Sequence, residues 1–431
     1  MIEVKCDYDT FKVWGNLSVP RDIYFGLGYE DRIKTFPSKI AGWLRVLNVR
    51  GNFLDVFDGE GSFQVFLDTE LRSNLRTRKC PSISSGDILE IEGVFTENSR
   101  GDQIFAAQDV KNIGEIGKPL RHDPENPKLK PFIWAIRRQG EREKRIEQQV
   151  IPTEVERFLQ GEDFVKVSTS TFDSVDTGLG SKPFELAGSD FKLRRDFDLP
   201  TRAYLMNLSR VYQMGFVYRD EGESPKNRNE FIIAQVFAHG NMGAGRNLAL
   251  ELVSQIAERY MGRKPTIRQI DFIPFILEKS GSRSISELYK VNGIDLGDEL
   301  VQNGLLYGLY KEYKKGIVDP TLINGFPSIK VPFAVVDPEN PGLSEDFRLI
   351  WEGKTIFHGS QEINNYPEQV AKYMSIWGNN FGQDLSEGEK RYLELLKYGM
   401  FPYWGLALSV DLLTQVVTGL DDVRDLRPTL T

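Results

Sequence analysis

The sequence predicts an α+β chain, with a five-stranded β-barrel followed by a larger antiparallel β-sheet flanked by helices. Three observations carry this. Between residues 38 and 113, short strand-like runs are separated by turn residues. After residue 135, helical and strand-like segments alternate irregularly, the pattern of an α+β domain rather than a parallel βαβ sheet. No Gly-x-Gly-x-x-Gly or P-loop pattern follows any strand, so the two common nucleotide motifs are absent. A length of 431 residues suits two or three domains. The divisions expected are an extension over 1–36, the barrel over 37–114, a linker over 115–135 and the second domain over 136–431.

The elements follow in order. Residues 1–36 mix glycine, proline and acidic residues with no sustained period, so they read as irregular. SKIAGWLRVL, FLDVFD, SFQVFLD, DILEIEGVFTE and QIFAAQDVKNI are the five barrel strands, with turns at Gly51-Asn52, Asp58-Gly59, Ser85-Gly86-Asp87 and Gly101-Asp102. Strands of this number and length suit an OB-type barrel, or else part of a sandwich. The Pro- and Lys-rich HDPENPKLKP reads as linker. A charged helical stretch at 136–149 comes next. TEVERFLQ, NLALELVSQIAERYM and KRYLELLKYG have apolar residues at helical spacing, and FVKVSTSTF, RVYQMGFVYR and FIIAQVFAH read as strands.

Composition excludes several classes. The net charge of −8 argues against a DNA-coating protein, which needs a basic face throughout. It leaves room for RNA binding through a local patch such as Leu71–Lys79, unless that segment is simply a solvated loop face. Two cysteines and three histidines do not furnish a disulfide framework or a zinc site. No run approaches a membrane span, and MIEVKCDYDT lacks the pattern of a signal peptide. A reduced, cytoplasmic protein with no membrane contact is expected.

The most informative stretch is RVYQMGFVYRDEGESPKNRNEF, a strand, a polar loop and a second strand. Arg219 and Glu221 share a face at the hairpin mouth, and Phe231 opens the return strand. An arginine there can grip phosphate bidentately and the phenylalanine can stack a purine, or the hairpin simply pairs surface charges. This stretch resembles motif 2 of the class II aminoacyl-tRNA synthetases, with a loop of the lysyl type. The resemblance implies that Arg219 holds the α-phosphate of ATP, Phe231 stacks adenine and Glu221 helps to hold the substrates. Asn227 stands where the family has a loop histidine.

Other segments resemble the same family in the same order. FRLIWEGKTIFHGSQEINNYPEQ places Glu362 on the acidic residue that faces ATP and Mg²⁺, and Asn364 on a polar substrate contact. The companion acid seven residues earlier is Thr355, so a weakened Mg²⁺ site is implied. In the preceding segment FPSIKVP, Ile329 replaces another family acid. KYGMFPYWGLALSVDLLTQVVTGLDDVRDLRP resembles motif 3, with Asp411 retained, but Leu412 replaces the arginine that clamps ATP. Trp404 replaces a small residue and is expected to fill space that ATP would use. IEQQVIPTEVERFLQGEDFVKVSTSTF resembles the dimer-forming motif 1, implying a homodimer, with Pro152 expected to kink or restart its helix.

LPTRAYLM aligns with a family strand whose Glu receives the substrate's α-amino group, and that position is Arg202. A cation there would repel an ammonium and attract a carboxylate or phosphate, or it pairs with an internal acid such as Glu221. In the barrel, FLDVFDGEGSFQVF resembles anticodon-binding strands, with Phe53 at a base-stacking position, Gln64 at a base-reading position, and Arg45 and Arg50 on the same surface. The alternative place for Phe53 is the barrel core. The resemblance, with Arg202 in place of the family's acid, implies a ligase that uses ATP to activate an amino or other carboxylic acid, with a substrate changed from lysine, and that binds tRNA or single-stranded RNA through the barrel. The alternative is a catalytically inactive tRNA-binding paralogue.

Overall fold

The structure is a computed structural model. It describes residues 10–13, 17–20, 40–57, 62–77, 83–97, 103–114, 139–173, 181–294, 299–377 and 385–427, with short pieces at 125–126, 129 and 133–134. Most of the expected linker and the turns at Asp58-Gly59 and Gly101-Asp102 lie outside the described residues. The chain divides into two compact units, residues 1–143 with 428–431, and residues 144–427.

In the first unit, β1 (Thr10–Val13) and β2 (Leu17–Pro20) pair antiparallel, so the stretch expected to be irregular contains a hairpin. All five expected barrel strands form: β3 (Ile40–Arg50), β4 (Phe53–Phe57), β5 (Ser62–Phe66), β6 (Ile88–Glu97) and β7 (Gln103–Gly114). They close in the order β3-β4-β5-β7-β6. Closure follows from strict alternation. Leu44, Val46, Leu54, Val56 and Val65 point inward and are almost fully buried, each burial stabilising by about 1.5–3 kcal/mol. Gly93 lets β6 cross β7 closely, since a Cβ there would lie 2.2 Å from the Ala106 carbonyl oxygen. The basic stretch expected to be a patch or loop lies largely in a helix, α1 (Thr69–Thr77), which Asp68 starts by accepting from the Leu71 amide.

The second unit is built on an eight-stranded sheet. Its strands are β8 (Val165–Lys166), β11 (Arg210–Tyr218), β12 (Glu230–His239), β13 (Arg268–Asp271), β14 (Thr321–Asn324), β15 (Asp346–Trp351), β16 (Lys354–Glu362) and β17 (Tyr403–Ser409). The order is β13-β14-β15-β16-β17-β12-β11-β8, antiparallel except for the two edge pairs. Between β8 and β11 lies a small separate pair, β9 (Phe172–Asp173) with β10 (Lys192–Leu193). FVKVSTSTF therefore forms only two short strand pieces, not one strand.

Helices cover one face of the large sheet. α2 (Gln139–Gly161) runs unbroken past Pro152, against expectation. Ile151, Val155 and Leu159 on one side of that helix are fully buried in the core, and this packing outweighs the local cost of proline. On the other face, LPTRAYLM is not a strand: it forms α3 (Asp198–Ala203) and a following 3₁₀ turn. α4 (Met242–Met261) starts at Asn241, whose side chain accepts from the Ala244 amide, and stops at Gly262 in the left-handed region. α5 (Glu387–Leu396) begins with a capping box between Ser386 and Glu389. β17 runs directly into α6 (Val410–Val417), the strand-to-helix order of the motif 3 resemblance.

Candidate active-site pocket and barrel surface

Residue register builds the pocket floor. On β16, His358, Ser360 and Glu362 point to one side of the sheet, as period two requires. Cross-strand pairing then sets three rows. Arg348, His358, Ala407 and Gln235 form one row, Ser360, Gly405 and Phe237 the next, and Glu362 and Tyr403 the third. These rows line a cavity of about 670 Å³, whose wall also holds Asp198 and Arg202 from α3, Phe333, Lys330, Tyr307 and Arg219. Gly405 is required by close approach: a Cβ there would lie 2.7 Å from the Phe237 ring and 2.8 Å from Glu362 Oε1.

One end of the cavity is a buried ion triad. Because α3 is helical, Asp198 and Arg202 are one turn apart and face each other, and the Arg202 guanidinium forks onto both oxygens of Asp198. Its other nitrogen donates to Glu362 Oε2 at 2.5 Å and to the Tyr403 hydroxyl at 3.1 Å. The guanidinium also lies 4.4 Å from the Phe333 ring centroid. Burial works against the Arg202 charge, but Asp198 and then Glu362 hold its pKa well above the ordinary arginine value. Burial pushes the Glu362 carboxyl up, against the pull of Arg202. Arg202 thus pairs with internal acids, but these are Asp198 and Glu362, while Glu221 is exposed past the end of β11 and does not line the cavity.

The Mg²⁺ ion implied by the family resemblance does not fit this end. Glu362 is buried, its Oε2 accepts a hydrogen bond from Arg202 and its Oε1 accepts one from the Ser360 hydroxyl at 2.7 Å. Thr355 brings no carboxylate, and its hydroxyl accepts from Lys314 Nζ at 3.2 Å. Among the described residues no group of three His, Cys, Asp or Glu side chains could hold a metal. In this structure the two Glu362 oxygens, expected to face Mg²⁺, are engaged by the Arg202 guanidinium and the Ser360 hydroxyl.

The remaining expected residues divide. Arg219 reaches the cavity, donates from Nε to the Arg195 carbonyl at 3.1 Å and lies 5.2 Å from the Phe231 ring centroid. Phe231 is half-buried under that guanidinium against Phe197 and Val217. Asn364 donates to the Met400 carbonyl at 2.8 Å and is not in the cavity wall. Trp404 does not fill the cavity. It alternates to the opposite face of β17, packs against Gly245 and meets Phe164 edge-on at 6.1 Å. Leu412 packs against the same core. Asp411 is a buried partner of Arg427.

Sequence reasoning missed Asp198, Gln235, Lys330, Arg348 and His358. Two of these had a readable signal: two strand repeats back from Glu362 reach His358, and one helical turn back from Arg202 reaches Asp198. Arg348 and Gln235 required the register across the sheet. Just behind the wall, Asp196 is 3% exposed with Oδ2 unbonded, and burial, with Asp198 second, pushes its carboxyl up to about 7.

The barrel carries a separate surface. β4 alternates Leu54 and Val56 inward with Phe53, Asp55 and Phe57 outward, so Phe53 belongs to the half-exposed face and not to the core. Register sets Phe53 against Phe66 and Asp55 against Gln64. The two rings are 5.2 Å apart, and exposed Gln64 donates to Asp55 at 3.0 Å. Arg50 lies 3.5 Å from the same Asp55. Arg45 is half-buried and donates to the Gly86 carbonyl at 3.4 Å. An aromatic pair, an amide and a cation therefore share one outer patch, while Arg45, in the middle of β3, reaches the turn at Gly86.

Comparison with known proteins adds to this geometry. Residues 125–428 match the family model described as tRNA synthetases class II (D, K and N). A lysine–tRNA ligase of Clostridium acetobutylicum is 23% identical, covering 92% of this chain and 84% of that protein. One from Pseudomonas fluorescens strain Pf0-1 is 22% identical, over 92% of this chain and 88% of its own. One from Streptococcus gordonii is 23% identical, over 90% and 86%.

Proposed function

The chain belongs to the class II tRNA synthetases of the D, K and N group, and from that premise we propose that it is a lysyl-type relative that activates a different carboxylic acid as its adenylate and holds a tRNA on its barrel. One observation carries this. Arg202 is paired with the two acids at one end of the cavity, yet a volume of about 670 Å³ remains open beside it. The site is recharged, not filled.

ATP would lie toward Arg219, with Phe231 beneath that guanidinium. An oxygen of the acid attacks the α-phosphorus, and the bond to pyrophosphate breaks with its electron pair leaving on pyrophosphate. Arg219 counters the charge that develops on the α-phosphate oxygens. Lysine is disfavoured, because the floor presents Arg348, with Lys330 beside it, to its ammonium groups. Phe53 and Phe66 would take an unstacked base, with Gln64 reading its edge and Arg50 meeting the backbone. A homodimer through α2 belongs to the same proposal, and sedimentation at micromolar concentration tests it.

ATP–pyrophosphate exchange on the full chain, with a panel of amino and organic acids and lysine as control, decides the catalytic part. Exchange with an acid other than lysine supports the proposal. A second reading, an inactive tRNA-binding paralogue, is favoured by the sealing of Glu362 under Arg202. It requires tRNA binding with no exchange for any acid.

A further inference from the structure

The two ends of the cavity differ in how their charges are met. At the Arg202 end every acid has an internal partner. Asp198 and Glu362 face Arg202, and Glu389 accepts from the amide and hydroxyl of Ser386 in the capping box. Four residues along β16, about 13 Å away by strand rise, the floor is cationic. Arg348 is 8% exposed and its guanidinium lies 4.0 Å from the Phe326 ring centroid. One nitrogen donates to the Tyr307 hydroxyl at 3.2 Å, another is 3.8 Å from Asp346, and Nε has no hydrogen-bond partner among the described residues.

Two lysines close on the same place. Lys330 Nζ lies 6.0 Å from the Tyr307 ring centroid and Lys314 Nζ donates to Thr355 beside it. Burial, and after it the charge of Arg348, pushes the Lys314 ammonium below its ordinary value. His358 brings no compensating charge of either sign near neutral pH, since burial and Arg348 push its pKa down. Asp346, held by the Phe326 amide, is the acid in contact with this group. A buried arginine with an unmade Nε bond, beside two lysines and a single carboxylate 3.8 Å away, carries more positive than negative charge around it and can receive an anion.

Resting on the adenylation reading above, we propose that the acid activated here carries a second anionic group, a carboxylate or a phosphate, which Arg348 and Lys330 hold at this end of the cavity. The reacting carboxylate is left free to face ATP near Arg219. A neutral isostere leaves the Arg348 bond unmade, and an ammonium meets like charge.

The test uses the full chain and matched pairs of probes: L-glutamate against L-glutamine, L-aspartate against L-asparagine, and O-phospho-L-serine against L-serine, with L-lysine as control. Thermal shift without ATP and ATP–pyrophosphate exchange are both read, and ATP binding is measured separately by calorimetry. Expected is at least a tenfold lower apparent Kd for the anionic member of one pair, with the carboxylate and phosphate pairs telling the two groups apart. Arg348→Met and Lys330→Met should each cut that preference severalfold while ATP affinity stays within twofold. Lys330 is exposed, so its variant remains informative if Arg348→Met does not fold. The proposal is overturned if the neutral members or lysine bind as well, if no probe binds, or if both variants lose ATP together with the acid. Anion preference without ATP binding would sink the adenylation reading and leave the anion site standing.

Discussion

Arg202→Met separates the two expectations about this arginine. The side chains of Arg202, Asp198 and Glu362 are 4%, 15% and 3% exposed, so the triad is a desolvated network and not a surface bridge. Methionine keeps much of the volume but leaves two carboxylates without their cation. Breaking a buried pair from one side costs about 3–5 kcal/mol. For a unit of this size, each kcal/mol moves the melting temperature by about 2–4 °C, so a drop of roughly 6–20 °C is expected. The sign with pH is fixed by the same physics. Stranded carboxyls have raised folded-state pKa values, and their favourable contribution lies below the unfolded pKa and fades as pH rises. The deficit of Arg202→Met should therefore shrink as the pH falls toward 5. Adding Glu362→Gln removes one stranded charge, so the double variant should lose less than the sum of the singles. Arg202→Glu, which restores the lysyl-type residue, should be worse than methionine, because three carboxylates then share one dry site. Thermal and urea melts at pH 8 and pH 5 read all four. A melting temperature for Arg202→Met within 2 °C of the unmodified chain would refute the triad as a structural element.

Three further outcomes are expected. Phe53→Ala should weaken binding of a tRNA or single-stranded RNA by about 1–3 kcal/mol, the range for one stacked base, while the barrel still melts cooperatively; filter binding and circular dichroism check the two halves. Asp196→Asn should stabilise the chain at pH 8 by up to about 4 kcal/mol and give no gain at pH 4, because a carboxyl raised to about 7 from 3.8 loses its favourable contribution as pH rises between those values; equal effects at both pH values in denaturant melts would exclude burial of this carboxyl as the cause. Gly405→Ala should destabilise by about 1–3 kcal/mol and narrow the cavity, since its Cβ would meet Phe237 and Glu362 well inside contact distance; a neutral melt with unchanged ligand affinity counts against the close packing of that floor.

Local pattern carried much of this protein. Alternation with turn residues named all five barrel strands, and the hairpin around Arg219 was readable from its two β-rich runs and polar loop. Order along the chain pointed to the family that residues 125–428 match. The same alternation held the answer for Phe53, whose neighbours Leu54 and Val56 take the inner face.

Tertiary structure decided the rest, for a physical reason common to each case: the deciding partner is remote in sequence. Pro152 stays inside a helix because the buried face of α2 outweighs a local penalty. Trp404 leaves the cavity because the pleat of β17, set by its pairing with β12 and β16, turns it into the core. Arg202 was legible as a cation in place of an acid, but its partners were not. Asp198 meets it only because LPTRAYLM coils instead of extending, and Glu362 lies 160 residues away. By itself the sequence determined the strongly periodic elements and their order, since those depend on short-range periodicity. Which charges in the cavity cancel and which remain for a ligand depended on register across eight strands, where a slip of one residue would turn Arg348 and Glu362 away from the site.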